Sequence, residues 1–216
     1  MRIKIILVII WVFCYQYTFS QNMQFEVILK VAEAGYMNYL NKIPIGHETK
    51  YGFNSREEFK IVDFGKPYRI ISLNPDFFSE YELSKDNLHD YFFYTDEWCV
   101  PLSIENDYRI LVNVSKMYGG WQTVGIGSAP LAREIGEMEK QIGTMEQYGM
   151  ILRIYQLKSD FILYFPDDSS SELFAYPLES AKISLGRKGK SEIPNSMIQL
   201  LPLIKKQINN HIDMQP

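Results

Sequence analysis

The chain has 216 residues, a formal charge of −4, 46% hydrophobic and 22% charged residues, proportions of a globular protein able to bury a full core. Its acidic balance excludes nucleic acid as a partner, because phosphate binding relies on clustered Lys and Arg. It equally disfavours adsorption to anionic lipid.

The first twenty residues have the layout of a secretory leader. Arg2 and Lys4 form a basic head, Ile5 to Cys14 an unbroken apolar run, and Thr18-Phe19-Ser20 a small-residue cleavage site. The run is about half the roughly 20 residues a spanning helix needs. We therefore expect cleavage after Ser20, a mature chain starting at Gln21, a secreted or periplasmic address and no stable membrane insertion. Loss of Cys14 leaves Cys99 as the one thiol, so no intramolecular disulfide is expected.

Residues 23–41 carry Phe25, Ile28, Leu29, Ala32, Tyr36 and Leu40 at helical spacing, which predicts an amphipathic helix. Ser55-Arg56-Glu57-Glu58 is a capping-box pattern opening a single helical turn. Tyr68 to Leu73 reads as a strand. The clearest β signal lies in Tyr91 to Ile126. Trp98, Val100, Leu102 and Ile104 alternate with Cys99, Pro101 and Ser103. Glu105-Asn106-Asp107 is turn chemistry, and Tyr108, Ile110, Val112 and Val114 alternate in the returning strand. Gly119-Gly120 turns the chain again into Trp121 to Ile126. Pro101 lacks a ladder donor, which predicts an edge strand or a bulge.

A second helix is expected over 129–142, with Pro130 in its first turn and Leu131, Ile135, Met138 and Ile142 facing inward. Met150 to Leu157, Phe161 to Phe165, Leu173 to Tyr176 and Lys182 to Leu185 read as strands. A last helix over 196–210 is expected to kink at Pro202 or to start there.

The resulting expectation is an α+β fold of antiparallel sheets with helices packed on one face and a C-terminal helix. Helix-plus-four-strand order recurs at 21–127 and 128–216, so the mature chain is either two tandem modules or one compact domain. Trp98-Cys99-Val100-Pro101-Leu102 through Gly119-Gly120-Trp121, with Val124-Gly125-Ile126-Gly127 before the helix, resembles secreted bacterial proteins built as cystatin-like α+β modules. That resemblance implies a long helix laid across a curved antiparallel sheet. It transfers no catalytic residues, because inhibitors, propeptides, binding modules and enzymes share the plan.

Candidate chemistry is sparse. Cys99 with His47 or His89 as base is the one enzymatic reading, a thiol-dependent hydrolase, but a strand interior is not where thiol pKa values are lowered. His47, His89 and His211 lack metal-ligand spacing, so no metal and no cofactor are expected. Gly125-Ile126-Gly127-Ser128 before a helix invites an anion, yet Pro130 stands where a dinucleotide loop needs its last glycine. Aromatics reach 14%, and four follow one another at Tyr91-Phe92-Phe93-Tyr94. A strand places two of these on each face, and we expect the 74–90 loop to cover the outer pair. The reading is an exported, non-catalytic protein that binds a peptide, protein or glycan through Tyr91, Phe93, Trp98 and Trp121. A protease-inhibitor or propeptide-like module is the rival.

Overall fold

The computed structural model describes residues 23–74, 88, 90–142, 149–165, 172–186 and 195–213. The leader, His89 and most of the 74–90 loop lie outside them. The chain is mixed α+β, built on one large, mostly antiparallel open sheet. Helix α1 spans 23–40. Strands β1 (Asp63–Phe64), β2 (Tyr68–Leu73), β3 (Phe92–Ile104), β4 (Asp107–Met117) and β5 (Gly120–Gly127) follow. Then come α2 (Ala129–Ile142), β6 (Met150–Ile154), β7 (Ser159–Tyr164), β8 (Phe174–Pro177), α3 (Glu179–Ser184), β9 (Asn195–Ser196) and α4 (Met197–Asp213). The sheet runs β5-β4-β3-β2-β6-β7-β8-β9, with β1 paired beside β2 on β3.

Among the described residues every pairing is antiparallel but one. β2 and β6 run parallel, with Arg69 opposite Met150 and Ile71 opposite Leu152. This joint connects the β1–β5 set to the β6–β9 set.

Helices cover both faces of the sheet, not one as the pattern suggested. Trp98, Val100 and Leu102 of β3 pack with Ile28, Ala32 and Leu40 of α1. Cys99, between them in sequence, packs with Ala132, Ile135 and Met138 of α2. Successive strand residues point to opposite faces, so α1 and α2 lie on opposite sides. Leu152, Phe161 and Leu163 meet Leu200, Leu201 and Ile204 of α4. Arg69 lies opposite both Trp98 and Met150, and paired residues share a face. Helices α1 and α4 therefore sit side by side on a first face, and α2 alone covers part of the second.

Pro101 is in a central strand. β3 pairs β4 on one side and the interrupted β1/β2 row on the other. The Pro101 carbonyl accepts the Gly65 amide at 2.8 Å. In an antiparallel strand a residue's N–H and C=O point the same way. The missing donor thus faces Gly65 in the 65–67 break between β1 and β2, so the one bond it cannot make falls where the ladder is already interrupted. The register of β3 against β4 shifts at the next step, between Leu102 and Ser103.

Local departures have local causes. Glu58 accepts from the Asn54 amide and side chain, each at 2.7 Å, rather than closing a box with Ser55. Arg56 instead reaches back to the carbonyls of Ile43 (2.7 Å) and Asn41 (3.3 Å) and to Glu48, so its cation stabilises the C-terminal end of α1. Lys182–Leu185, read as a strand, belongs to a helical turn begun by the Lys182 amide donating to Leu178 O at 2.9 Å. Tyr155–Leu157 closes β6 as a 3-10 turn with Lys158 at φ 51. Helix α4 contains Pro202 six residues in, near enough to its start that few backbone bonds are affected.

Candidate functional site

The structure divides the four aromatic residues singled out above. Tyr91 and Trp98 are each 3% exposed and belong to the core, Trp98 meeting Phe25 edge-to-face at 5.3 Å. Phe93 is 41% and Tyr94 60% exposed, and the 74–90 loop expected to cover one such face lies mostly outside the described residues. Trp121 is half-buried against α1 at the rim of the sheet. Arg69 stacks on Tyr94 with its guanidinium 4.1 Å from the ring centre, and also lies 5.6 Å from that of Trp98. Phe93 and Trp121 therefore do not form one patch: β4 lies between their strands, β3 and β5, and Phe93 points to the face opposite Tyr94 and α1.

Two clefts flank β5. On the first face an open groove of about 430 Å³ runs between α1 and β5, lined by Gly35, Asn38, Tyr39, Lys42, Trp121 and Thr123. Its floor is fixed by close approach. The Thr123 hydroxyl donates to Val31 O at 2.8 Å, and the Tyr39 hydroxyl donates to Thr123 O at 3.0 Å. Lys42 lies over the Tyr39 ring at 4.5 Å and is the one charged side chain lining the groove.

On the second face a cleft of about 240 Å³ opens beyond the N-terminal end of α2. Ile70 and Leu111 form its base, and Glu97, Asn113, Ser115 and Arg153 converge on it. Arg153 Nε donates to Asp160 Oδ1 at 2.8 Å, and this pair is mostly shielded from water. The pairing raises the Arg153 pKa against the opposing effect of burial. Neither cleft was visible in local sequence pattern, since each is assembled from elements distant in the chain.

Cys99 sits at the base of the second cleft but is 1% exposed. Burial pushes its thiol up to about 12, with Arg153 pulling weakly the other way. The thiol donates to Asn113 Oδ1 at 3.5 Å. A nucleophilic cysteine needs the opposite setting, a depressed pKa beside a base. Ellman's reagent is therefore expected to leave the native protein almost unmodified for hours and to titrate Cys99 at once in guanidinium. Rapid reaction of the folded chain would mean an accessible thiol.

Among the described residues, no group of three His, Cys, Asp or Glu could hold a metal ion, and no helix is long and apolar enough to cross a membrane. The chain matches no protein-family model, no curated protein and no solved structure. Function must therefore be argued from the surface itself.

Strand β5 is the outermost strand, paired with β4 alone among the described residues. Its sequence Gly120-Trp121-Gln122-Thr123-Val124-Gly125-Ile126-Gly127 contains neither charge nor proline. The register against β4 shifts between Asn113 and Val114, the only irregularity along its length. The opposite edge, β9, has two residues.

Proposed function

We propose that the protein binds an extended segment of another protein by strand addition along β5. The observation that carries this reading is the edge itself: eight residues long, joined to no second strand among the described residues, uncharged and proline-free, with the Thr123 carbonyl alone engaged by Tyr39. Sheet edges are ordinarily blunted by shortness, lysine or proline, because unpaired N–H and C=O groups template further pairing. The β9 edge is short, whereas β5 has none of these three features and is interrupted only by the bulge at Val124. An added strand would gain main-chain hydrogen bonds along β5, and its alternate side chains would point to the two faces. Those on the first face meet the groove of Trp121, Tyr39 and Lys42, which suits an apolar or acidic side chain. Those on the second meet the exposed Val124.

The wider reading is an exported, non-catalytic binding protein, cleaved after Ser20, in the periplasm or medium. Its leader layout supports export. The placement of β1–β5 before residue 127 and β6–β9 after it supports two halves of cystatin-like character, 21–127 and 128–216, the second turned so that α4 rather than α2 shares a face with α1.

Peptide display against residues 21–216 tests the binding role. Selected peptides are expected to be extended sequences with alternating pattern, to protect amides of 120–127 from hydrogen exchange, and to lose about tenfold or more in affinity with Trp121→Ala. Failure to select any binder, or a footprint away from β5, would overturn it.

A further inference from the structure

We propose that the cleft on the second face is a saccharide-binding site, separate from strand addition along β5. Helix α2 covers only part of this face. Beneath it the sheet is apolar, with Leu111, Ile151 and Ile162 in the core. Past its N-terminal end the same face turns polar, and the polar side chains converge on a cavity rather than spreading into solvent.

Each of those side chains is held from behind. Arg153 is fixed by Asp160 through two nitrogens, at 2.8 and 3.4 Å. Asn113 is held through its Oδ1 by the Cys99 thiol, which leaves its amide nitrogen available. Glu97 accepts from the Tyr155 hydroxyl at 3.5 Å, and Ser115 donates to Asp96 O at 3.0 Å. Anchored side chains lose little freedom on binding, so the cleft is organised before a ligand arrives.

The charge balance selects the ligand. Asp160 offsets Arg153, which leaves the Glu97 carboxylate uncompensated in the cleft. A phosphate or carboxylate would meet that negative charge and is disfavoured. A neutral ligand carrying many groups that both donate and accept is favoured. Vicinal hydroxyls of a pyranose fit this set: they donate to Glu97 and accept from the Asn113 amide and the free nitrogen of Arg153. The apolar base of Ile70 and Leu111 suits the C–H face of such a ring, and about 240 Å³ holds one ring.

Two exposed aromatic rings extend the site. Tyr155 is tied to Glu97, and Phe93 lies opposite Ser72, whose hydroxyl donates to Arg153 O at 2.7 Å. Tyr155 thus adjoins the cleft through Glu97, and Phe93 lies on the same sheet face; each offers a platform for a flanking sugar unit. This gives the exposure of Phe93 a role that the β5 edge does not.

Titration calorimetry of residues 21–216 with cellotetraose, chitotetraose, xylotetraose, mannotetraose and maltotetraose tests the assignment. At least one is expected to bind with Kd below about 1 mM. Glu97→Gln and Asn113→Ala should each weaken it about tenfold, at unchanged thermal midpoint, while Trp121→Ala leaves it unaltered. Tyr155→Ala should weaken the tetrasaccharide more than the corresponding monosaccharide. Absence of binding across the panel, or binding indifferent to Glu97 and Asn113, overturns the proposal. So does preference for an acidic sugar or an amino acid. Because Trp121 serves only the β5 groove, the two readings fail separately.

Discussion

Gly35→Ala is expected to destabilise the protein by about 2 kcal/mol, the size of an overpacking defect. Inside a helix the same change ordinarily gains about 1 kcal/mol, so the sign is reversed. A Cβ at Gly35 would stand 2.3 Å from Thr123 Oγ1 and 2.4 Å from its Cβ. Thr123 cannot yield, because it is β-branched and fixed by its bonds to Val31 O and from Tyr39. Helix α1 would have to lift from β5, opening the groove at Trp121. Urea denaturation measures the loss, and a Thr123→Gly background should turn the substitution favourable. A stabilised Gly35→Ala single variant would show that α1 and β5 are not in this contact.

Glu139→Leu is expected to cost about 3 kcal/mol and Glu139→Gln about 1 kcal/mol, on the scale of buried donors left without acceptors. Glu139, on α2, accepts from the hydroxyls of Tyr68 and Tyr108, the latter at 2.8 Å. Leucine offers neither an acceptor, whereas glutamine retains one oxygen. The same contact sets an alkaline limit. Burial first, and then the charge and hydrogen bond of Glu139, raise both tyrosines above their ordinary value of 10.0. The folded state keeps protons that the unfolded chain releases, so this stabilisation is complete below about pH 10 and is lost as pH rises beyond it. Denaturant midpoints measured at about pH 8 and about pH 11 should converge in Tyr68→Phe relative to the parent. An alkaline slope as steep in that variant as in the parent would place the effect elsewhere.

Much of the fold was legible where period decides structure. Trp98, Val100, Leu102 and Ile104 share one face as their alternation required, and the stripes through Ile28 and Ala32 and through Ile135 and Met138 became α1 and α2. The side chosen by α2 was harder to read. Its signal lies in adjacent apolar pairs, Ile151-Leu152 and Ile162-Leu163, which mark strands buried on both faces. Of the two readings of Pro101, the irregularity holds, one step on at Leu102/Ser103, and the edge does not, because the gap at 65–67 that accommodates the missing donor lies in the neighbouring strand row. The candidate site was the least legible part. Trp121 stands out by composition, but the outermost position of β5 is a property of the whole sheet. Glu97, Asn113 and Arg153 come together only once four strands, β4, β3, β2 and β6, and the end of α2 are in place.

The parallel joint also sets the order in which the chain can assemble. The β3-β4-β5 and β6-β7 hairpins close over short turns and form early. Contacts across the joint, such as Ser72 with Arg153, span 81 residues, and nothing rewards their closure until β6 has been made. During synthesis the flank of β2, with Ile70, Ile71 and Leu73, therefore waits uncapped, a sticky surface for another nascent chain. A chaperone that shields Tyr68–Leu73 until β6 emerges would raise the yield of native protein without altering its final stability.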